Sequence, residues 1–123
     1  MIRILIADDH AIVRRGLKQI LDEAFAGVVC GEAGNAEETV AAVRQHDWDL
    51  VILDMIMPSV SGGDTYDRLK AMNPKVKVIL SSGYSLNAQA AKIIARGCNG
   101  FIQKPFNIND LSQKIRQVLE QGV

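Results

Sequence analysis

The chain has 123 residues, close to the commonest size for a single domain, and can bury roughly two-thirds of its unfolded surface without covalent staples. Fourteen basic residues offset fourteen acidic ones, so no net field draws the protein to nucleic acid or to an anionic membrane. Cys30 and Cys98 form no CxxC pair and have no histidine ligands nearby, which argues against a disulfide framework and for reduced thiols in a cytoplasmic protein.

Taken in chain order, brief apolar runs alternate with longer amphipathic stretches. The first run, Ile2–Ala7, is too short for a membrane span and predicts a strand. Ile12, Val13, Gly16, Leu17, Ile20 and Leu21 follow at helical spacing. Val28–Ala33 predicts the second strand. Asn35-Ala36-Glu37-Glu38 resembles a capping box that opens a helix through about Gln45. Trp48, the sole tryptophan, stands before the third strand, Leu50–Leu53, as a packing anchor. A helix over about 64–72 is ended by Pro74. Val76–Leu80 is the fourth strand, and a helix from about Asn87 to Arg96 is closed by Gly97. Gly100–Gln103 is the fifth strand, and the last helix begins after Asn107 and turns Ile108, Leu111, Ile115, Val118 and Leu119 inward. The continuously apolar Leu50-Val51-Ile52-Leu53 and Val78-Ile79-Leu80 suit strands buried on both faces.

Five strands alternating with five helices predict an α/β fold, a doubly wound five-stranded parallel sheet in the flavodoxin-like order 2-1-3-4-5. Function in such sheets gathers at the carboxyl ends of the strands. There strand one ends in Asp8-Asp9, strand three in Asp54 and strand five in Lys104-Pro105. Neighbouring carboxylates repel unless a cation neutralises them, and an oxygen-only set suits a hard ion such as Mg²⁺. Taken singly, Asp8 or Asp9 could equally serve as a helix cap, Asp9 for a helix starting near Ala11. Asp54 follows four apolar residues, where a lone acid serves no solubility role. Lys104 closes the last strand on the same edge, placed to pair with Asp54. His10 has no soft ligand near it in sequence and is not expected to bind metal; His46 ends a helix, where positive charge suits the dipole.

Asp8-Asp9, Asp54 within Asp54-Met55-Ile56-Met57-Pro58 and Gly62, Ser82-Gly83, and Lys104-Pro105-Phe106 together resemble the response-regulator receiver family of two-component signal transduction, chemotaxis regulators included. The resemblance runs from Ile2 to about Leu119, and the full set in order is far more specific than any piece. It implies one receiver (phosphoacceptor) domain over residues 1–123, with no output domain in this chain. It implies that Asp54 accepts a phosphoryl group from a sensor histidine kinase, a phosphotransfer domain or a small phosphodonor. Asp9, Asp54 and the backbone carbonyl of Ile56 would hold Mg²⁺, with Asp8 acting through a bound water. Lys104 would stabilise the phosphoryl oxygens. Ser82 would hydrogen-bond the phosphoryl group; it lies 28 residues after Asp54 and 22 before Lys104, which favours it over Ser81. Phe101 occupies the switch-aromatic position and would turn inward on phosphorylation, re-shaping the face built by the fourth helix, fifth strand and fifth helix. That face would meet an output domain or a second copy, with no direct nucleic-acid or membrane partner.

The resemblance also implies a phosphorylation-dependent switch and not an enzyme with a separate substrate. The Lys104-Pro105 bond is commonly cis in the family. Bulky Ile56 and Tyr84 would flank attacking water and slow autodephosphorylation. Ala88, Ala91 and Ala95 form a small-residue stripe on the fourth helix that reads as simple helix propensity or as a partner surface. Two competing readings are weaker. A phosphatase of the haloacid dehalogenase type wants a second acid two residues after its nucleophile, where Ile56 stands. A flavodoxin or nucleotide-binding module wants a glycine loop after the first strand, where Asp-Asp-His stands.

Overall fold

The computed structural model describes residues 2–57, 60–83, 88–104 and 107–120. Its elements run β1 (Arg3–Ala7), α1 (Ala11–Ala24), β2 (Val29–Ala33), α2 (Ala36–Gln45), β3 (Leu50–Asp54), β4 (Ile56–Met57), β5 (Val60–Ser61), α3 (Gly62–Met72), β6 (Val78–Ser82), α4 (Ala88–Ala95), β7 (Gly100–Gln103) and α5 (Ile108–Glu120). The five long strands form one parallel sheet in the order β2-β1-β3-β6-β7, the order expected from the alternating pattern. The short β4 and β5 pair with each other, antiparallel, and were not anticipated. Two-residue strands carry no periodicity for a sequence to display.

Alternate side chains of each strand leave the sheet on opposite faces. Leu5, Ala7, Val51, Leu53, Val78 and Leu80 join Val40 and Val43 of α2, Tyr66 and Leu69 of α3, and Ala90 and Ile93 of α4. Ile4, Ile6, Leu50, Ile52 and Ile79 meet Leu17 and Leu21 of α1 and Leu111, Ile115 and Val118 of α5 on the other side. Because β1, β3 and β6 are buried on both faces, their sequences read as unbroken apolar runs. Each fully buried Leu or Ile contributes about 1.5–3 kcal/mol from the water it leaves, so the sheet is a rigid platform for what its carboxyl edge carries.

Local chemistry sets the helix ends. Asn35 Oδ1 accepts from the Glu38 amide at 2.8 Å, as its capping position requires. Glu38 Oε1 reaches one residue further back than in the usual reciprocal box and accepts from the Gly34 amide at 2.7 Å. Asn107 Oδ1 likewise accepts from the Asp110 amide at the head of α5. Gly97, after α4, has φ +109°, a conformation strained for any residue with a Cβ. On α4, Ala90 and Ile93 are buried in the core and Ile94 packs partly buried against it, whereas Ala88, Ala91 and Ala95 face outward. Trp48 anchors the rim: its indole N–H donates to Ala42 O at 2.9 Å, and Arg3 stacks on its ring at 5.5 Å.

Candidate functional site

The register of the sheet assembles the site before any side chain is considered. Ala7 pairs with Leu53, so Asp8 and Asp54 emerge side by side at the ends of β1 and β3. Asp54 pairs with Ser81 of β6, and Ser82 pairs with Gln103 of β7. Lys104 donates its backbone N–H to Ser82 O at 2.7 Å, which fixes where its side chain starts. The strand β6 runs two residues past the expected Leu80, since Ser81 and Ser82 continue the pairing with β3 and β7, and both are buried although polar.

Ligand oxygens of Asp8, Asp9 and Asp54 and a ring nitrogen of His10 all lie within 4.8 Å of one another. The Asp8 and Asp54 side chains are almost wholly buried, at 2% and 6% exposure. Lys104 Nζ bridges them, 2.5 Å from Asp8 Oδ2 and 3.5 Å from Asp54 Oδ2. The sequence pointed to Asp54 as the lysine's partner; both acids share it, with Asp8 the nearer. Burial pushes the Asp8 carboxyl up, but the Lys104 ammonium and the His10 amide outweigh it and hold the group below its ordinary range. That amide donates to Asp8 Oδ1 at 2.9 Å.

Asp9 differs from its neighbour. Its Oδ1 is buried and has no hydrogen-bond partner among the described residues; His10 Nδ1 stands 3.0 Å away, off hydrogen-bonding geometry. A buried carboxylate oxygen left unsatisfied is costly. An orphaned oxygen in a cluster of three acids fits a site for a divalent cation, and the oxygen-rich donor set fits Mg²⁺. Ile56 lies two residues beyond Asp54 at the start of β4. Phe101 pairs with Leu80 and packs, partly buried, against the core on the α3–α4 side. Pro105, Tyr84, Pro58 and Phe106 lie outside the described residues, as does the Lys104-Pro105 bond.

Two residues in this region escaped the sequence. Arg14 donates to the backbone carbonyl of Asp8 at 2.6 Å and to Glu32 Oε1 at 3.1 Å, tying the ends of β1 and β2 together. Its signal was a cation in the first turn of a helix, where the dipole disfavours it. His10, set aside on sequence grounds, has its ring against both Asp8 and Asp9.

Residues 4–116 match the response regulator receiver domain. The chain belongs to that family. It is a receiver of two-component signalling, a family whose general property is phosphorylation on aspartate with Mg²⁺. The receiver is 31% identical to the response regulator UvrY of Escherichia coli over 118 residues, which are 96% of this chain and 54% of that protein. It thus spans about half the length of the first curated relatives it matches. The chemotaxis protein CheY of Thermotoga maritima is 33% identical and is matched over 96% of its length, and 94% of this chain. Among solved structures, the response regulator TrrA of Thermotoga maritima in complex with Mg²⁺-BeF superimposes with TM-score 0.84 at 30% identity, over 96% of this chain and 99% of that one. No helix among the described residues is long and apolar enough to cross a membrane.

Proposed function

We propose that Asp54 is the phosphoacceptor of this receiver and that residues 1–123 act as one phosphorylation-dependent switch. The observation that carries the reading is a buried Asp54 carboxylate gathered with Asp8 and Asp9 at one sheet edge, with Lys104 Nζ 3.5 Å from its oxygen. In the transfer, an Asp54 oxygen attacks the phosphorus of a phosphohistidine or small phosphodonor. The new O–P bond makes an acyl phosphate as the P–N or donor P–O bond breaks, and the leaving group keeps the electron pair.

Asp9, Asp54 and the backbone carbonyl of Ile56 would hold the Mg²⁺ directly, and Asp8 through water. The orphaned Asp9 oxygen and the fully engaged Asp8 carboxylate support that division. When bound, the ion supplies neutralising charge to the acids and to the incoming phosphoryl oxygens. Lys104 holds Asp8 and Asp54 together in the resting chain and offers its ammonium to an equatorial oxygen. Ser82 donates its hydroxyl to another, and its withdrawal toward the phosphoryl group lets Phe101 turn inward. The face of α4, β7 and α5 is then re-shaped for an output domain or a second copy. A coupling of about 1–3 kcal/mol between phosphorylation and that face is enough to bias two existing states.

The phosphodonor is a sensor histidine kinase or phosphotransfer domain, and the working compartment is the cytoplasm. The TrrA complex with Mg²⁺-BeF supports an occupied acid site of this kind. Slow autodephosphorylation, expected from bulky residue types at positions 56 and 84, completes the proposal. Incubation with acetyl phosphate and Mg²⁺ followed by intact mass measurement tests it. Wild type should gain one phosphoryl group and Asp54→Ala none; equal labelling of both would overturn the assignment.

A further inference from the structure

Asp8 is held at its backbone as firmly as at its carboxylate, and one of those holds comes from a distant side chain. Its amide donates to Ala33 O at 3.0 Å, while its carboxylate accepts from the His10 amide and from Lys104. Its carbonyl lies just past the last β1–β2 pair, Ala7 with Ala33. A continuing parallel ladder would offer that carbonyl the amide of residue 35, but Asn35 is already the cap of α2. Arg14 of α1 supplies a donor there: its Nη1 stands 2.6 Å from Asp8 O.

The guanidinium is aimed, not merely near. Its Nε donates to Glu32 Oε1 at 3.1 Å, so bonds at two nitrogens fix the orientation of a planar group. Gly34 passes close beside it; a Cβ there would stand 3.4 Å from Nη1. The carbonyl it holds belongs to the Asp8–Asp9 peptide, a planar unit, so the direction of that carbonyl sets the direction in which Asp9 leaves the strand. Asp9 depends on this. Its buried Oδ1 has no hydrogen-bond partner among the described residues, and the His10 ring beside it is off hydrogen-bonding geometry. The backbone therefore places this carboxylate.

We propose that Arg14, braced by Glu32, is a positioning residue for phosphoryl transfer: through the Asp8 carbonyl it holds the Asp8–Asp9 peptide so that the Asp9 carboxylate stays in the acid cluster. The inference rests on the reading that Asp9 serves the transfer to Asp54, and it adds to that machinery a residue of α1 that is neither an acid nor Lys104. Arg14 reaches the cluster through a backbone carbonyl. Its loss thus releases Asp9 while Lys104 still bridges Asp8 and Asp54.

The test measures labelling by acetyl phosphate over a range of MgCl₂ concentrations, isothermal titration with MgCl₂ alone, and urea denaturation, on wild type, Arg14→Ala, Arg14→Lys and Glu32→Ala. Arg14→Ala should need about tenfold more Mg²⁺ for half-maximal labelling and bind Mg²⁺ about tenfold more weakly, the scale on which outer partners of a metal ligand act. Its rate at saturating Mg²⁺ should stay within about twofold of wild type, the mark of a lost binding interaction. Arg14→Lys keeps a donor for the carbonyl and should recover most of the loss. Glu32→Ala, at a partly exposed residue whose loss the fold tolerates, should shift the same midpoint by about threefold, the scale of a surface ion pair. A brace that served only the fold would lower the urea midpoint and leave the Mg²⁺ dependence of the folded protein unchanged. That result, or a fall in the saturating rate with no shift in Mg²⁺ affinity, overturns the inference and leaves the Asp54 reading standing. Wild type that neither binds Mg²⁺ nor takes the label overturns both.

Discussion

Replacing Lys104 with methionine keeps the aliphatic stem and deletes the charge that bridges Asp8 and Asp54. At an effective dielectric constant of about 20, the gross attraction is about 7 kcal/mol at 2.5 Å and about 5 kcal/mol at 3.5 Å. Much of that is offset in the wild type by desolvation of the three groups. Removing one partner of a buried pair typically costs about 3–5 kcal/mol. Lys104 is 18% exposed and the His10 amide still serves Asp8, so Lys104→Met should cost about 2–4 kcal/mol. Urea denaturation at neutral pH measures it. In a double-mutant cycle with Asp8→Asn, the two losses should fall short of additive by about 1–3 kcal/mol. The Asp8 carboxyl is held low in the folded state. Its contribution is therefore present above the ordinary carboxylate pKa of about 4 and lost as pH falls through the lower folded value. The penalty of Lys104→Met should fade over that same acidic window. A variant as stable as wild type, or one whose loss is independent of Asp8 and of pH, would refute the electrostatic reasoning.

Two further predictions concern the fold. Gly31→Ala would set a Cβ 2.3 Å from the far ring edge of Trp48, which the Ala42 carbonyl and Arg3 hold in place; it should cost about 1–3 kcal/mol and shift tryptophan emission toward that of exposed indole, and unchanged stability would contradict it. The buried Tyr66 hydroxyl has no hydrogen-bond partner among the described residues, and burial first, then nearby acidic groups, push its pKa from 10.0 to about 12. Because the folded pKa is the higher one, the folded state resists ionisation of Tyr66, and stability that is unaffected below pH 10.0 falls as pH rises toward 12. Tyr66→Phe should be stabilising or neutral near pH 7, within about 1 kcal/mol, and should flatten the alkaline fall in stability; an identical alkaline profile would count against the shift.

Much of the site was legible because its residues close strands whose apolar runs are unmistakable. Asp54 after Leu50-Val51-Ile52-Leu53, and Lys104 after Gly100–Gln103, could be placed on one edge from topology alone. The pairing preference of Lys104 was not legible, since 2.5 Å to Asp8 against 3.5 Å to Asp54 is set by side-chain placement across residues far apart in sequence. Nor was the burial of Ser82, a polar residue that continues an apolar strand and pairs in register with Gln103. Arg14 was missed because it acts through Glu32, 18 residues away on β2; the contacts of His10 are with its own sequence neighbours, and they depend on how the chain turns after β1.

Asp54 as phosphoacceptor is tested most directly by trapping the acyl phosphate chemically. Wild-type protein treated with acetyl phosphate and Mg²⁺, then reduced with borohydride and digested, should yield homoserine at position 54 in the peptide that spans β3. Homoserine at position 8 or 9, or none at any aspartate despite a phosphoryl adduct in the intact mass, would contradict it.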